Sequence, residues 1–278
     1  MTVAESRVIA DETTHASRNF FGTVRVRESV APDGARYRRF IHGTTLHGLQ
    51  FLEGPRRREP TAYFTPGSGI GRAMTVLTAR REPIRVAVIG LGIGTLAAYG
   101  RHGDRFTFYE IDPQVAALSG GRAPPFTYVE NSAASIEVIV ADGRLALGRT
   151  PPIAADLLAM GAFSSDAVPI HLITVEALTA YARHLRDRRS LLAVNIANRH
   201  LDLADVVAAA GAASHFSSVL IEGEPQPGLV QATRWMLLSR DPAALATFGE
   251  RRPPPRVRPW SDGASNLLEA WRWPTPPS

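Results

Sequence analysis

The chain has 278 residues, 45% of them hydrophobic, and a formal net charge of +5 carried by 31 basic and 26 acidic side chains. It contains no cysteine and no lysine, which excludes disulfides, thiolate nucleophiles, cysteine-based metal sites and Schiff-base chemistry. No run of about eighteen apolar residues occurs, so nothing reads as a membrane span, and the arginines are scattered apart from Arg56-Arg57-Arg58 and residues 251–258, which suits solvated charge better than a nucleic-acid surface.

Residues 1–17 are polar and aperiodic and read as a flexible start. Glu5, Arg7, Asp11 and Glu12 do not suit a signal peptide, and a cytoplasmic protein is the expectation. Residues 18–60 read as a small β domain. Strand-like patterns over 20–27 and 36–41 flank Pro32-Asp33-Gly34, a turn signal, and a segment rich in polar groups follows over 42–52. Glu59-Pro60-Thr61-Ala62-Tyr63-Phe64 and a glycine-rich loop over 66–71 then lead into a helix.

Residues 61–250 read as a nucleotide-binding domain built around Arg85-Val86-Ala87-Val88-Ile89-Gly90-Leu91-Gly92-Ile93-Gly94-Thr95. A β-branched apolar run that stops on glycines predicts a buried parallel strand, a tight turn and a short helix over 95–99. Glycines serve there because the turn needs positive φ and because a side chain would keep a ligand from the backbone. A second strand ends on Glu110-Ile111-Asp112-Pro113, with the acid where nucleotide-binding α/β folds hold a ribose. A third, over 136–140, ends on Ala141-Asp142-Gly143. In the dinucleotide fingerprint the last glycine stands three positions after the second, yet that place is Thr95 and the glycine comes at Gly94. This spacing resembles the class I S-adenosylmethionine (SAM) fold, which implies Glu110 on the ribose hydroxyls and Asp142 near the adenine amino group.

A fourth strand over 155–160 precedes the loop that carries Gly161, Ser164, Ser165 and Asp166. A helix over 174–185, a strand over 191–196, the Asn198 loop, a helix over 203–213 and strands over 217–222 and 234–239 follow. Residues 251–278 are rich in proline and arginine and read as irregular.

Gln50, Tyr63, the glycine strand, Glu110-Ile111-Asp112-Pro113 and Asp142-Gly143, taken in this order after a β unit, resemble the spermidine synthases and the wider polyamine-synthase family. The loops around Ala162-Phe163-Ser164-Ser165-Asp166, Ala197-Asn198-Arg199-His200 and Pro259-Trp260-Ser261-Asp262 are similar to the spermidine-synthase-like halves of bacterial fused transporter proteins. The resemblance implies a Rossmann-like, seven-stranded class I SAM-binding α/β sheet with a small N-terminal β unit, a small-molecule substrate, no metal, and a homodimer. It also implies SAM or decarboxylated SAM as cofactor, held by Gln50, Gly90, Gly92, Gly94, Glu110, Ile111, Asp142, Gly143 and Gly161.

Two positions depart from that family. Its spermidine-forming members carry an acid in the glycine turn, paired to the donor's amine, where this chain has Ile93; they carry another at the end of the fourth strand, the base, where it has Gly161. Without the turn acid the repulsion against the carboxylate of intact SAM is gone, and without the strand-end acid a polyamine loses its anchor and proton acceptor. The expected reaction is therefore displacement at a sulfonium carbon with a non-polyamine substrate: 3-amino-3-carboxypropyl transfer, or internal SAM cleavage that releases methylthioadenosine, ahead of methyl transfer. Asp166 is expected to contact substrate or act as base, although it also suits a helix N-cap. Tyr63 can place its ring over the sulfonium or acceptor, and His171 stands near the same loop. His42, His47 and His171 match no compact metal motif. Asp262 suits either closing the pocket or the surface.

Overall fold

The structure, a computed structural model, describes residues 12–162, 169–198, 200–224, 232–253, 255 and 257–271. It opens with a four-stranded antiparallel sheet, β1 (Glu12–Asn19), β2 (Gly22–Val30), β3 (Arg36–His42) and β4 (Thr45–Phe51), paired in that order. The expectation of a flexible start is corrected over residues 12–17, where β1 pairs with β2. Its residues are mostly exposed, so the strand carries no apolar alternation by which a sequence would reveal it.

Helix α1 (Gly69–Thr78), capped by Ser68 accepting from the Gly71 N–H at 3.1 Å, leads into the second sheet. Its strands are β5 (Arg85–Ile89), β6 (Arg105–Glu110), β7 (Ser135–Val140), β8 (Leu157–Met160), β9 (Leu191–Asn195), β10 (Ser217–Gly223) and β11 (Thr233–Ser239). The order β10-β11-β9-β8-β5-β6-β7 makes a seven-stranded sheet, parallel except where β11 runs against its two neighbours. Between these strands lie α2 (Pro113–Gly120), α3 (Gly143–Arg149), α4 (Val175–Ala182) and α5 (Ala204–Ala213).

Helices cover both faces of this sheet, which is why β5 is apolar at consecutive positions. Ala87 and Ile89 join a core with α4 and α5, including Leu178, Tyr181 and Val207, whereas Val86 and Val88 join one with α1, including Ile70 and Met74. A third cluster, with Val26, Phe40, Ile93, Val115 and Leu118, seats the N-terminal sheet on α2 and the glycine turn. The chain after residue 251 is tied down more than its composition suggests: Trp260 is buried, Leu201 bridges to Trp271, and a 3-10 turn spans Leu267–Ala270.

β5, β6 and β7 are added to one side, and the chain then returns to the other side of β5 as β8. In open α/β sheets ligands bind beyond the carboxyl ends of the strands at such a reversal. The registers align Ile89 with Tyr109 and with Met160, so the residues after these strands end at one level.

Candidate active site

A cavity of about 290 Å³ lies at that level, floored by the strand ends and roofed by β3 and β4. Ladder-like bonds carry the backbone into it: Gly90 N–H donates to the Tyr109 carbonyl at 2.8 Å, Gly161 N–H to Ile89 at 2.9 Å, and Ala141 N–H to Glu110 at 2.9 Å. Gly90 has φ +92°, and a Cβ there would stand 3.0 Å from the backbone of Ala162. Glycine at this one position lets the ends of β5 and β8 close together. The expected helix over 95–99 is a 3-10 turn, Thr95–Tyr99.

Glu110 is buried on the floor of the cavity. One carboxylate oxygen accepts from the Leu91 N–H of the glycine turn at 2.9 Å and the other from the Asp112 N–H at 3.0 Å. Burial pushes its carboxyl above the usual glutamate value, although these backbone bonds pull the other way. A carboxylate so oriented suits a pair of sugar hydroxyls.

Asp142 caps α3, accepting from the Leu145 N–H at 2.9 Å, and its second oxygen lies 3.2 Å from His171 Nε2. Gly143 belongs beside it because a Cβ would meet Ile89 at 2.9 Å. Ile111 is 47% exposed, an apolar face on the cavity between the two acids. Tyr63 lines the cavity and donates its hydroxyl to the Leu46 carbonyl at 3.0 Å.

Nine of the twelve residues expected at the site line this one space: Tyr63, Gly90, Gly92, Glu110, Ile111, Asp142, Gly143, Gly161 and His171. Gln50 does not. Its amide donates to the Arg57 carbonyl at 2.9 Å and to Thr127 Oγ1 at 3.1 Å, and its oxygen accepts from the Thr127 N–H at 2.9 Å, all within packed structure. Gly94 also lies off the cavity; its φ is +75° and a Cβ would meet Val129 at 2.7 Å, so it shapes the turn rather than touching a ligand. Asp166, with Ser164 and Ser165, lies outside the described residues.

Asp262 does not reach into the cavity. Both its oxygens bind Arg144, at 2.7 and 2.6 Å, and Thr174 adds a bond at 2.8 Å, which holds its carboxyl below the usual aspartate range. Arg144 also donates to the His171 carbonyl at 2.5 Å, so this clasp positions the residue that faces Asp142. His42 and His47 meet on the roof, ring centroids 5.7 Å apart, with His171 bonded to Asp142 elsewhere. Among the described residues no three side chains gather as a metal site, and no helix is long and apolar enough to cross a membrane.

Sequence reasoning passed over Asp112 and Asn195. Asp112 caps α2 through the Gln114 N–H at 2.9 Å and accepts from Asn19 at 2.6 Å, joining β1 to the second sheet. The Asp-Pro pair is a helix-start signal that could have located that cap. Asn195 lies at the carboxyl end of β9, next along the row from Gly161, and its place after a parallel strand was the available signal.

A spermidine synthase from Thermotoga maritima has a TM-score of 0.56 to this chain at 14% identity, covering 96% of this chain and 86% of that one. The fold is that of the spermidine synthases. A probable spermidine synthase from Corynebacterium glutamicum gives 0.59 at 17% identity, over 93% of this chain and 98% of its own. A spermidine synthase solved in complex with the transition-state analogue AdoDATO gives 0.54 at 14%, over 96% and 87%. No family model and no curated protein matches the sequence. On the spermidine-synthase fold the two departures occupy different surroundings: Gly161 lines the cavity, whereas Ile93 is buried under the N-terminal sheet.

Proposed function

We propose that the chain is a SAM-dependent enzyme that displaces at a sulfonium carbon, acting on a substrate other than an ordinary polyamine. The observation that carries this reading is Glu110, a buried carboxylate whose oxygens are aimed by the Leu91 and Asp112 amides at the cavity that Asp142 also lines. Glu110 would hold the ribose hydroxyls and Asp142 the adenine amino group, with Ile111 against the base. Gly90 and Gly92 line the cavity with backbone alone, and at Gly92 the nearest atom to an added Cβ is the His47 carbonyl oxygen at 3.7 Å. When bound, SAM supplies an electrophilic carbon on a sulfonium that leaves as a neutral thioether. Gly161 supplies neither a proton acceptor nor a charge for a polycation, which supports a substrate that is not a polyamine. Tyr63 would orient the reacting end with its ring while its hydroxyl stays on Leu46. His171, held by Arg144, would set the Asp142 carboxylate. Asp166 would be the substrate-side carboxylate.

The test is mass spectrometry of products after incubation with SAM or decarboxylated SAM, with and without putrescine. Methylthioadenosine from SAM alone is the product expected of internal cleavage, in which the arm supplies its own nucleophile; carboxypropyl transfer releases it only when an acceptor is also supplied. Spermidine formed at ordinary turnover would make the protein a true aminopropyltransferase. Tight SAM binding without any product, with a panel of non-polyamine acceptors also supplied, would favour a binding module.

A further inference from the structure

Within their paired span β4 carries one residue more than β3. Its register with β3 runs Phe40 to Gly48 and then Ile41 to Leu46, so His47 has no partner across the ladder. Such a bulge re-aims the side chain of the extra residue, and bulges gather beside binding sites for that reason. Here it sets the His47 ring beside Phe40 and beside His42, each 5.7 Å away between centroids, on the cavity wall. His42 donates its Nε2 proton to the Phe21 carbonyl at 2.9 Å. His47 Nε2 is closed off from solvent and has no partner among the described residues. A buried polar atom in that state destabilises the fold unless something that binds there completes it.

The location selects the ligand group. Along β7, β6, β5 and β8 the strand ends present Asp142, Glu110, the glycine turn and Gly161 in that order. If the first two held a nucleoside as proposed above, its sulfonium substituents would lie over the last two. His47 roofs that part, its carbonyl oxygen 3.7 Å from where a Cβ on Gly92 would stand. Intact SAM ends its amino-acid arm in a carboxylate beside the ammonium, whereas decarboxylated SAM has the ammonium alone. Burial and the neighbouring His42 push the His47 imidazole down to about 4, so it is neutral near pH 7 and offers one N–H without adding charge. Thr45, on the same wall, adds a hydroxyl.

We propose that His47 is a specificity-determining residue that receives the carboxylate of the amino-acid arm and so selects intact SAM over its decarboxylated form. The inference rests on the nucleoside reading above. It assigns the choice of donor to the bulge in β4, on the N-terminal sheet, rather than to the glycine turn alone.

Calorimetry on the full chain with SAM, decarboxylated SAM and methylthioadenosine tests it, comparing the parent with His47→Leu and His47→Gln. The parent is expected to bind SAM about tenfold or more tightly than decarboxylated SAM, the worth of one hydrogen bond to a charged group. His47→Leu is expected to lose that preference. His47→Gln, which can return an N–H to the same place, keeps part of it. Methylthioadenosine lacks the arm, so its affinity changes by less than about twofold in both variants and reports that they are folded. A parent without the preference, or a leucine variant that retains it, overturns the assignment while methylthioadenosine binding leaves the nucleoside reading standing. No binding of any of the three to the parent overturns both.

Discussion

Ile93 fills the notch that Gly48 leaves in β4: a Cβ on Gly48 would stand 2.5 Å from Ile93 Cγ1. Ile93 is 1% exposed and packs with Val26, Phe40 and Val115, so the place where the resemblance expects an acid has become part of the seat for the N-terminal sheet. At Gly161 the nearest atom to an added Cβ is Phe64 Cζ at 3.9 Å, an ordinary contact on the cavity wall. One departure is closed into the core and the other is open to a ligand.

Ile93→Asp is therefore expected to cost stability rather than restore an amine site. Losing the packed side chain and burying a carboxylate without a partner should lower the unfolding free energy by about 3 kcal/mol or more. Urea unfolding measures this, and a variant as stable as the parent would reject Ile93 as a core residue.

Gly161→Asp has room and is expected to fold with nearly the parent's melting temperature. If the missing strand-end acid is what excludes amines, putrescine should bind this variant more tightly than the parent by roughly tenfold, the effect of one charged hydrogen bond. Equal putrescine affinities in calorimetry would count against that account.

Glu110→Ala should weaken methylthioadenosine binding by about a hundredfold, because two hydroxyl bonds to a charged acceptor are lost together. The pH dependence has a definite sign. Burial raises the folded carboxyl above 4.5, so binding to the parent should weaken as pH falls through that raised value, when the carboxylate takes up a proton. Affinity that stays level down to pH 4 would contradict the assignment.

His47 makes stability depend on pH through the same burial. Its folded value of about 4 lies below the ordinary 6.5, so as pH falls the unfolded chain takes up the proton first. The contribution is whole above 6.5 and is lost between about 6.5 and 4, roughly 3 kcal/mol in all. His42 is the titratable neighbour on the roof, and Glu110 at the end of β6, Asp112 at the cap of α2, Asp142 and His171 also line the cavity; these remain in His47→Gln and cancel in the comparison. Chemical denaturation across that range should give a flatter profile for the variant, and parallel profiles would show that His47 is not the group responsible.

The sheet was legible because its parallel strands are covered on both faces. Burial on both sides forces apolar residues at successive positions, as in Val86 to Ile89, and such runs stand out. The floor of the cavity was legible too, since Glu110 ends β6 and Asp142 comes just after β7, and neither needs long-range pairing to be placed. β1 was not, because an exposed strand in an antiparallel ribbon has no apolar period. The resemblance puts Gln50 on the donor, whereas in the fold its side chain is bonded to Arg57 and Thr127. Its face depends on the pairing of β3 with β4, and with a bulge in that pairing the alternation along β4 does not tell which side chain meets the cavity.

By itself the sequence determined the fold class and the row of acids and glycines along the strand ends, since both follow from local pattern: buried runs, turns that need glycine, and caps at helix starts. Tertiary structure alone decided what stands above that row. The one-residue slip between β3 and β4 puts His47 on the cavity wall, and the packing of Ile93 beneath Gly48 takes that position out of the site. Both depend on how a separate sheet settles on the glycine turn, a contact between segments some forty residues apart that only the folded chain brings together.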